Sequence, residues 1–392
     1  MIPYPIWMLP PSGPGGVLES IQWLSDVIRA RNGAQMKRQL RQRPRRFFEF
    51  DVTLKSEARM LADLMVNDLG VSKCVLPIWH DAQAVGAIAS AATEIACKTQ
   101  GYDLFAGSIA VLMHGKRSQA VEVLSITSGM VTLAEPLALA WPAGTRLYPA
   151  YIATLSAAST EDGFTNAIGR RALRFALESD IGWPEFIWDS YYLGAPVLTR
   201  CPLIGSGVNS EISRDVIEVD VEVGPVARFD YPGRGFRSVD MEFLARDRSD
   251  AEDLRGLIYG LRGRIQNIWV PTWNRDLIPS GSSSGTQLRI KWVGYATYGR
   301  QQPAMRHIRI TLNSGLVMYR RITNSFDEGG VTELLTLGSA LPYSIAPADV
   351  KAVSFMSLSE SASDSVEVRH PRSADSITTT SITFQAVKHE LA

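Results

Sequence analysis

The feature that most constrains this chain is that it reads twice. The stretch VLPIWHDAQ (75–83) returns as WVPTWNRDL (269–277), with an apolar residue, Pro, one residue, Trp, and then an Asp. Repeats at a long, fixed spacing decide the architecture before any local pattern does. Upstream of this anchor, FFEFDVTLKSEARMLADLM (47–65) falls on SVDMEFLARDRSDAEDLRGLIYGL (238–261). Each predicts an alternating strand and then a short amphipathic helix with an acidic start. Met60, Leu61, Leu64 and Met65 share one helical face in the first copy; Leu254, Leu257, Ile258 and Leu261 do so in the second. Downstream, ITSGMVTLAEPLALAWPAG (126–144) sits against ITNSFDEGGVTELLTLGSALPYSI (322–345), so that Leu137 meets Leu337 and Pro142 meets Pro342. Further on, AIGRRALRFALES (167–179) matches SITTTSITFQAVK (376–388), with Phe175 on Phe384. A weaker match lays SIQWLSDVIRARNG (20–33) on EISRDVIEVDVEVG (211–224), with Ile21 on Ile212 and Gly33 on Gly224. Identity is low, and the shared order carries the argument. We expect a tandem duplication of a unit of about 190 residues. The first repeat spans 1–182 and contains a basic N-terminal segment; the second spans 183–392 and opens with a Pro- and aromatic-rich lead-in, 183–235.

Most segments alternate with period two, as in VIEVDVEV (216–223), LRIKWVGY (288–295) and RHIRITLNS (306–314). Turn residues separate them at short intervals. The expected fold class is mainly β, two similar β-sandwich or barrel domains, with one short helix per repeat at 56–69 and 250–262. Residues 82–98 are Ala-rich and ambiguous between helix and loop. In the repeated motif only shape residues persist. Pro77 and Pro271 fix an extended backbone and withhold an N–H, which suits an edge strand. Trp79 and Trp273 are expected to pack on the preceding helix, in a core that includes Leu64, Ile258, Phe175 and Phe384.

Lys+Arg and Asp+Glu each number 40, so no global field marks a nucleic-acid or acidic-substrate binder. The three cysteines, Cys74, Cys97 and Cys201, form no CxxC or CxxH spacing and read as buried free thiols. The N-terminal MIPYPIWMLPPSGPGG has no basic region before an apolar run and does not read as a signal peptide. No window approaches ~18 uninterrupted apolar residues, so no membrane helix is expected.

Catalytic chemistry finds little support. No HExxH or calcium-loop spacing occurs. GSIAVLMHGKRS (107–118) lacks the first glycine of a phosphate loop, because Ala110 stands there. His80-Asp81 resembles a dyad, but the second copy has Asn274 and no histidine. Distant carboxylates leave no local signature, so a hydrolase stays open as the weakest alternative, near DGF (162–164) and SDIGWPEFIWD (179–189). No cofactor or metal is expected.

Two surface features stand out. The run RARNGAQMKRQLRQRPRR (29–46) is basic without an acid; Arg38, Arg41, Arg43, Arg45 and Arg46 are candidates to face phosphates. The cluster WPEFIWDSYY (183–192) offers Trp183, Phe186, Trp188, Tyr191 and Tyr192 as a domain-interface core or a subunit contact. A saccharide platform is a further alternative for these rings.

The stretch YYLGAPVLTRCPLIGSGVNSEISRDVIEVDVEVGPVARFDYPGRGFRSVDMEF, followed by LRGRIQNIWVPTW, resembles tail proteins of long-tailed bacteriophages, as does the hairpin VTLAEPLALAWPAGTRLYP (131–149). The first copy departs from that pattern, since SIQWLSDVIRARNG lacks a clear E-x-I-x-R strand. The resemblance implies a non-enzymatic virion protein of the tail tip or baseplate, a minor tail, distal tail or hub protein. It implies a homo-oligomeric ring, trimer or hexamer, that joins the tail tube to hub or fibre proteins. Tail tubes are sixfold and hubs threefold, and three chains of two similar domains would bridge that mismatch. The basic segment would then face a lumen through which DNA passes. A host-surface or carbohydrate-binding module is the competing class.

Overall fold

Strand Arg45–Lys55 shows how the pattern becomes structure. Arg46, Phe48, Phe50, Val52 and Leu54 turn inward, while the residues between them stay partly or fully exposed. Such alternation suits a sheet with one face on a core. In the computed structural model the described residues are 2–12, 15–69, 72–156, 159–178, 186–206, 208–300, 302–371 and 377–388. The fold is mainly β, 49% strand against 12% helix, and no barrel closes.

The first half runs β1 (Val17–Gln22), β2 (Ser25–Arg29), β3 (Gln35–Gln39), β4 (Arg45–Lys55), helix α1 (Glu57–Leu69) and β5 (Lys73–Pro77). β4 lies between β1 and the strand Ile168–Leu177, antiparallel to both. β5 pairs with Thr145–Leu155, which also pairs with Ile109–His114. Among the described residues β2 and β3 pair only with each other, as a two-stranded ribbon.

The same pairing order recurs in the second half. Phe236–Ala245 lies between Asn209–Ser213 and Thr378–Ala386. Helix α2 (Arg248–Leu261) follows, then Ile268–Pro271, which pairs with Val350–Ser361. Val350–Ser361 in turn pairs with His307–Leu312. A ribbon of Val216–Val219 and Ala227–Asp230 stands where β2 and β3 stand in the first half.

The halves are not separate beads. β1 has a second partner, Ser365–His370, in a register from Val17 opposite His370 to Gln22 opposite Ser365. One sheet therefore crosses from half to half. Each half has a core under its helix, and Ile21 and Trp23 of the first half sit in the core of the second, beside Leu254, Ile258 and Phe384.

Some expectations need correction. Residues 82–98 form no helix; Gln83–Val85 and Glu94–Ala96 are short strands. Leu64 is not core: it is 61% exposed, with Met60 and Leu61 beside it, because α1 packs through Ala62 and Leu69 instead. Ile258, Phe175 and Phe384 are buried. Trp79 is buried and meets Tyr148 edge-on at 5.2 Å, whereas Trp273 is half-buried under the Arg309 guanidinium. Pro77 and Pro271 each close a strand, opposite Ala150 and Met356. β5 is not an edge there, since Ile6 bridges Val75 on its other side.

Candidate assembly interface

The join between the halves is built around a buried carboxylate. Glu19 falls at an inward position of β1, between Val17 and Ile21, and is fully buried. Its Oε1 accepts from Arg46 Nε at 2.8 Å, and its Oε2 lies 2.8 Å from His370 Nε2 and 3.5 Å from Arg255 Nη2. Arg46 also donates through Nη2 to Asp103 at 2.8 Å, and Tyr151 donates to the other Asp103 oxygen at 2.5 Å. Isolated buried charge costs several kcal/mol; here each charge is paired and hydrogen-bonded. Burial by itself pushes the Glu19 carboxyl up, but Arg46, Arg255 and His370 outweigh it and hold it well below the usual range. Arg46 therefore does not face a lumen or a phosphate: two carboxylates claim it inside the protein.

Beside this network the imidazoles of His80 and His370 stack in parallel, centroids 3.7 Å apart. Among the described residues neither His80 nitrogen has a hydrogen-bond partner. Burial first, then the nearby His370 and Arg255, push its pKa well below the ordinary value, so the ring is neutral. Ligand atoms of Glu19, His80 and His370 lie within 4.8 Å of one another. The trio does not suit a metal ion. Arg46, Arg255 and His370 already claim the carboxylate, and parallel rings point their in-plane lone pairs side by side rather than at one centre. The Asp81 carboxylate, 3.6 Å from His80 Nε2, is committed to another partner. Asp81 binds Arg248 at 2.5 Å, and that guanidinium covers the Tyr102 ring at 3.8 Å. All these groups tie α2 and its neighbours to the first half.

The β2–β3 ribbon extends the join. Ser25 bonds Asp364 through backbone N at 2.7 Å and through Oγ at 2.8 Å. Lys37 pairs with Glu360 and Asn267, and Arg29 lies over the Phe236 ring. Trp23 meets Tyr259 of α2 edge-on at 6.0 Å. Ile21 and Trp23 thereby join the core in which α2 buries Leu254, Leu257, Tyr259 and Leu261, beside Met241, Phe243 and Phe384 of its own half.

The aromatic cluster divides. Phe186 and Trp188 lie on α2 over Gly256 and Gly260, where an added Cβ would come within 2.8 and 2.7 Å of Phe186. Tyr192 packs on Trp269, and its hydroxyl is 3.1 Å from His307 Nδ1. These three rings are thus intramolecular contacts, and only Tyr191, 61% exposed, is presented outward among the described members. Trp183 lies outside the described residues. A cleft of about 760 Å³ brings Trp188 and Tyr191 together with Trp23, Arg43 and Arg262. A second, of about 550 Å³, is lined by Arg41, Arg43, Arg45, Phe47 and Glu178. Arg38 is exposed near Asp26, and Arg41 donates to the Gln22 carbonyl at 3.0 Å.

The cysteines carry no reactive signature. Burial pushes the Cys74 thiol up to about 12 and Cys97 up to about 11. Cys201, expected to be buried, is exposed. No described helix is long and apolar enough to cross a membrane. A scan of protein families finds no match to this chain, and no curated protein matches it.

The Glu19 network escaped the sequence reading, although one signal was present: β1 alternation places Glu19 on the inward side with Val17 and Ile21. Its partners Asp103, Arg255 and His370 are too far away in the chain to be joined by any local pattern.

Proposed function

We propose that the chain is a duplicated structural subunit of a long-tailed bacteriophage tail tip or baseplate, one that assembles with copies of itself into a ring. The observation that carries this reading is the repeated pairing order, in which the first half docks on the second by strand addition. In both halves a first strand, a two-stranded ribbon, a long strand, a helix and a short strand follow one another, and equivalent strands take equivalent partners. A chain that already joins like to like through a charged, strand-paired seam is equipped to continue that seam. The acids of the seam are held by arginines, which supports a structural role.

Three chains in a ring would present six similar units, suiting a junction between sixfold and threefold parts of a tail. The ring would contact tube, hub or fibre proteins, and the exposed Arg38 and Arg45 would be candidates to meet a passing nucleic acid. Native mass measurement and particle imaging test the reading. Three chains per closed ring are expected; a chain that stays monomeric and absent from virions overturns it. One observation favours a second reading, a carbohydrate-binding tail module: Trp188 and Tyr191 share their cleft with Gln39, Gln42 and Gln266. Glycan binding that is lost in Tyr191→Ala would establish it.

A further inference from the structure

Resting on the two-copy reading above, we propose that residues 209–230 of one chain dock on α1, Arg45 and the strand Glu161–Gly163 of a second copy. The contact would repeat between chains what residues 17–39 do to the second half within one chain.

The first argument is edge pairing. β1 is paired on both sides, by β4 and by Ser365–His370. Its counterpart Asn209–Ser213 pairs on one side only among the described residues, and all five of its residues are exposed. The counterpart of Ser365–His370 is Glu161–Gly163, which likewise has one described partner, Ile168–Leu177. An unpaired strand edge is a template for another strand. The molecule thus carries two half-used edges, one in each half, of the two kinds that are joined at its centre.

The second argument is the helix face. α2 is covered where the first half sits on it, and Arg255 reaches Glu19 there. In the register that lays Ile21 on Ile212, Ala251, Glu252 and Arg255 align with Met60, Leu61 and Leu64. Those three are exposed by 61%, 40% and 61%. An apolar stripe is thus bare on α1 at the position where α2 is covered. A contiguous apolar patch of this kind marks a contact surface.

The third argument is charge. In the second ribbon's first strand, Val216–Val219, Ile217 and Val219 point to one side and Glu218, paired with Arg228, to the other; Asp220 follows at the turn, where its side chain accepts from Glu222 N. A two-stranded ribbon is marginal in water by itself. In the first ribbon, Arg29 lies over Phe236. The counterparts of that pair are Asp220 and Arg45, an acid and an exposed base. Docking in the same sense brings Asp220 to the cleft lined by Arg45. Because the two surfaces differ, the contact is head-to-tail, and it propagates until rotation closes a ring.

The test uses the full chain with Cys201→Ser to remove the exposed thiol. One preparation carries Asp220→Cys and a second carries Arg45→Cys; they are mixed and treated with a bifunctional maleimide, because the equivalent contact is made through a long arginine side chain and is too wide for a direct disulfide. A crosslink between the two chains is expected, and neither preparation alone should form it. In parallel, Arg45→Glu should weaken self-association about tenfold or more, and Asp220→Arg added to it should restore association. A wild-type oligomer that survives both substitutions without the crosslink overturns this interface and leaves the ring reading standing. A wild-type chain that stays monomeric overturns both. An acceptor other than a second copy, found crosslinked at Asp220→Cys in infected cells while the purified mixture stays uncrosslinked, overturns the choice of partner.

Discussion

Glu19 is the residue on which the seam turns. Removing its charge leaves Arg46 and Arg255 buried with fewer partners. Glu19→Gln should therefore cost about 3–5 kcal/mol in urea unfolding. Acidity acts in the same place. The Glu19 carboxyl sits below its unfolded value, so the stabilisation it provides is complete above about pH 4.3 and is lost as pH falls further. His80 is held neutral, so the unfolded chain takes up a proton that the folded chain refuses once pH drops below about 6.5. Stability should fall in two stages on acidification, and His80→Gln should flatten the upper stage; a melting series from neutral to acid pH measures both. The repeated tryptophans should differ. Trp79→Ala removes a buried ring and should cost about 3–5 kcal/mol, and Trp273→Ala clearly less, as thermal unfolding will show.

At the scale of elements, the two helices have the same place and opposite fates. α2 begins with a cap: the Asp247 side chain accepts from Asp250 N at 3.0 Å. Asp247→Ala should lower stability by about 1 kcal/mol. Within α2, alanine usually gains about 1 kcal/mol over glycine. At Gly260 that gain should vanish, because the new Cβ would meet Phe186 at 2.7 Å and Trp188 at 3.2 Å. On α1, by contrast, Leu64→Ala should change the stability of a single chain by less than about 0.5 kcal/mol. If it unfolds the dissociated chain, Leu64 is not on an open face. The helix periodicity in the sequence located both helices and their apolar stripes. It did not show which stripe was covered, since coverage depends on a neighbour far away in the chain.

For the whole molecule, the half-to-half seam matters more than either half. β1 belongs to the first half by sequence but completes a sheet in the second, and Ile21 and Trp23 belong to the second core. Cutting the chain near residue 182 should therefore not yield two stable pieces. The expected result is an aggregating second half, with Ser365–His370 and the Tyr259 face of α2 uncovered; a soluble, cooperatively melting fragment 183–392 would contradict it.

The sequence by itself determined the β class and the two helices, because strand and helix periodicities are local. It also placed Ile258, Phe175 and Phe384 correctly inside. Only the tertiary structure decided the fate of the charges and of the aromatic lead-in. Arg46, read as part of a basic surface, became the centre of a buried network because Glu19 and Asp103 converge on it. Phe186 and Trp188 turned inward because Gly256 and Gly260 leave them room on α2. Leu64 stayed outside because no described segment covers that face of α1 as β1 and its ribbon cover α2. A local pattern specifies which face of an element is apolar; which faces meet is a property of the assembled chain.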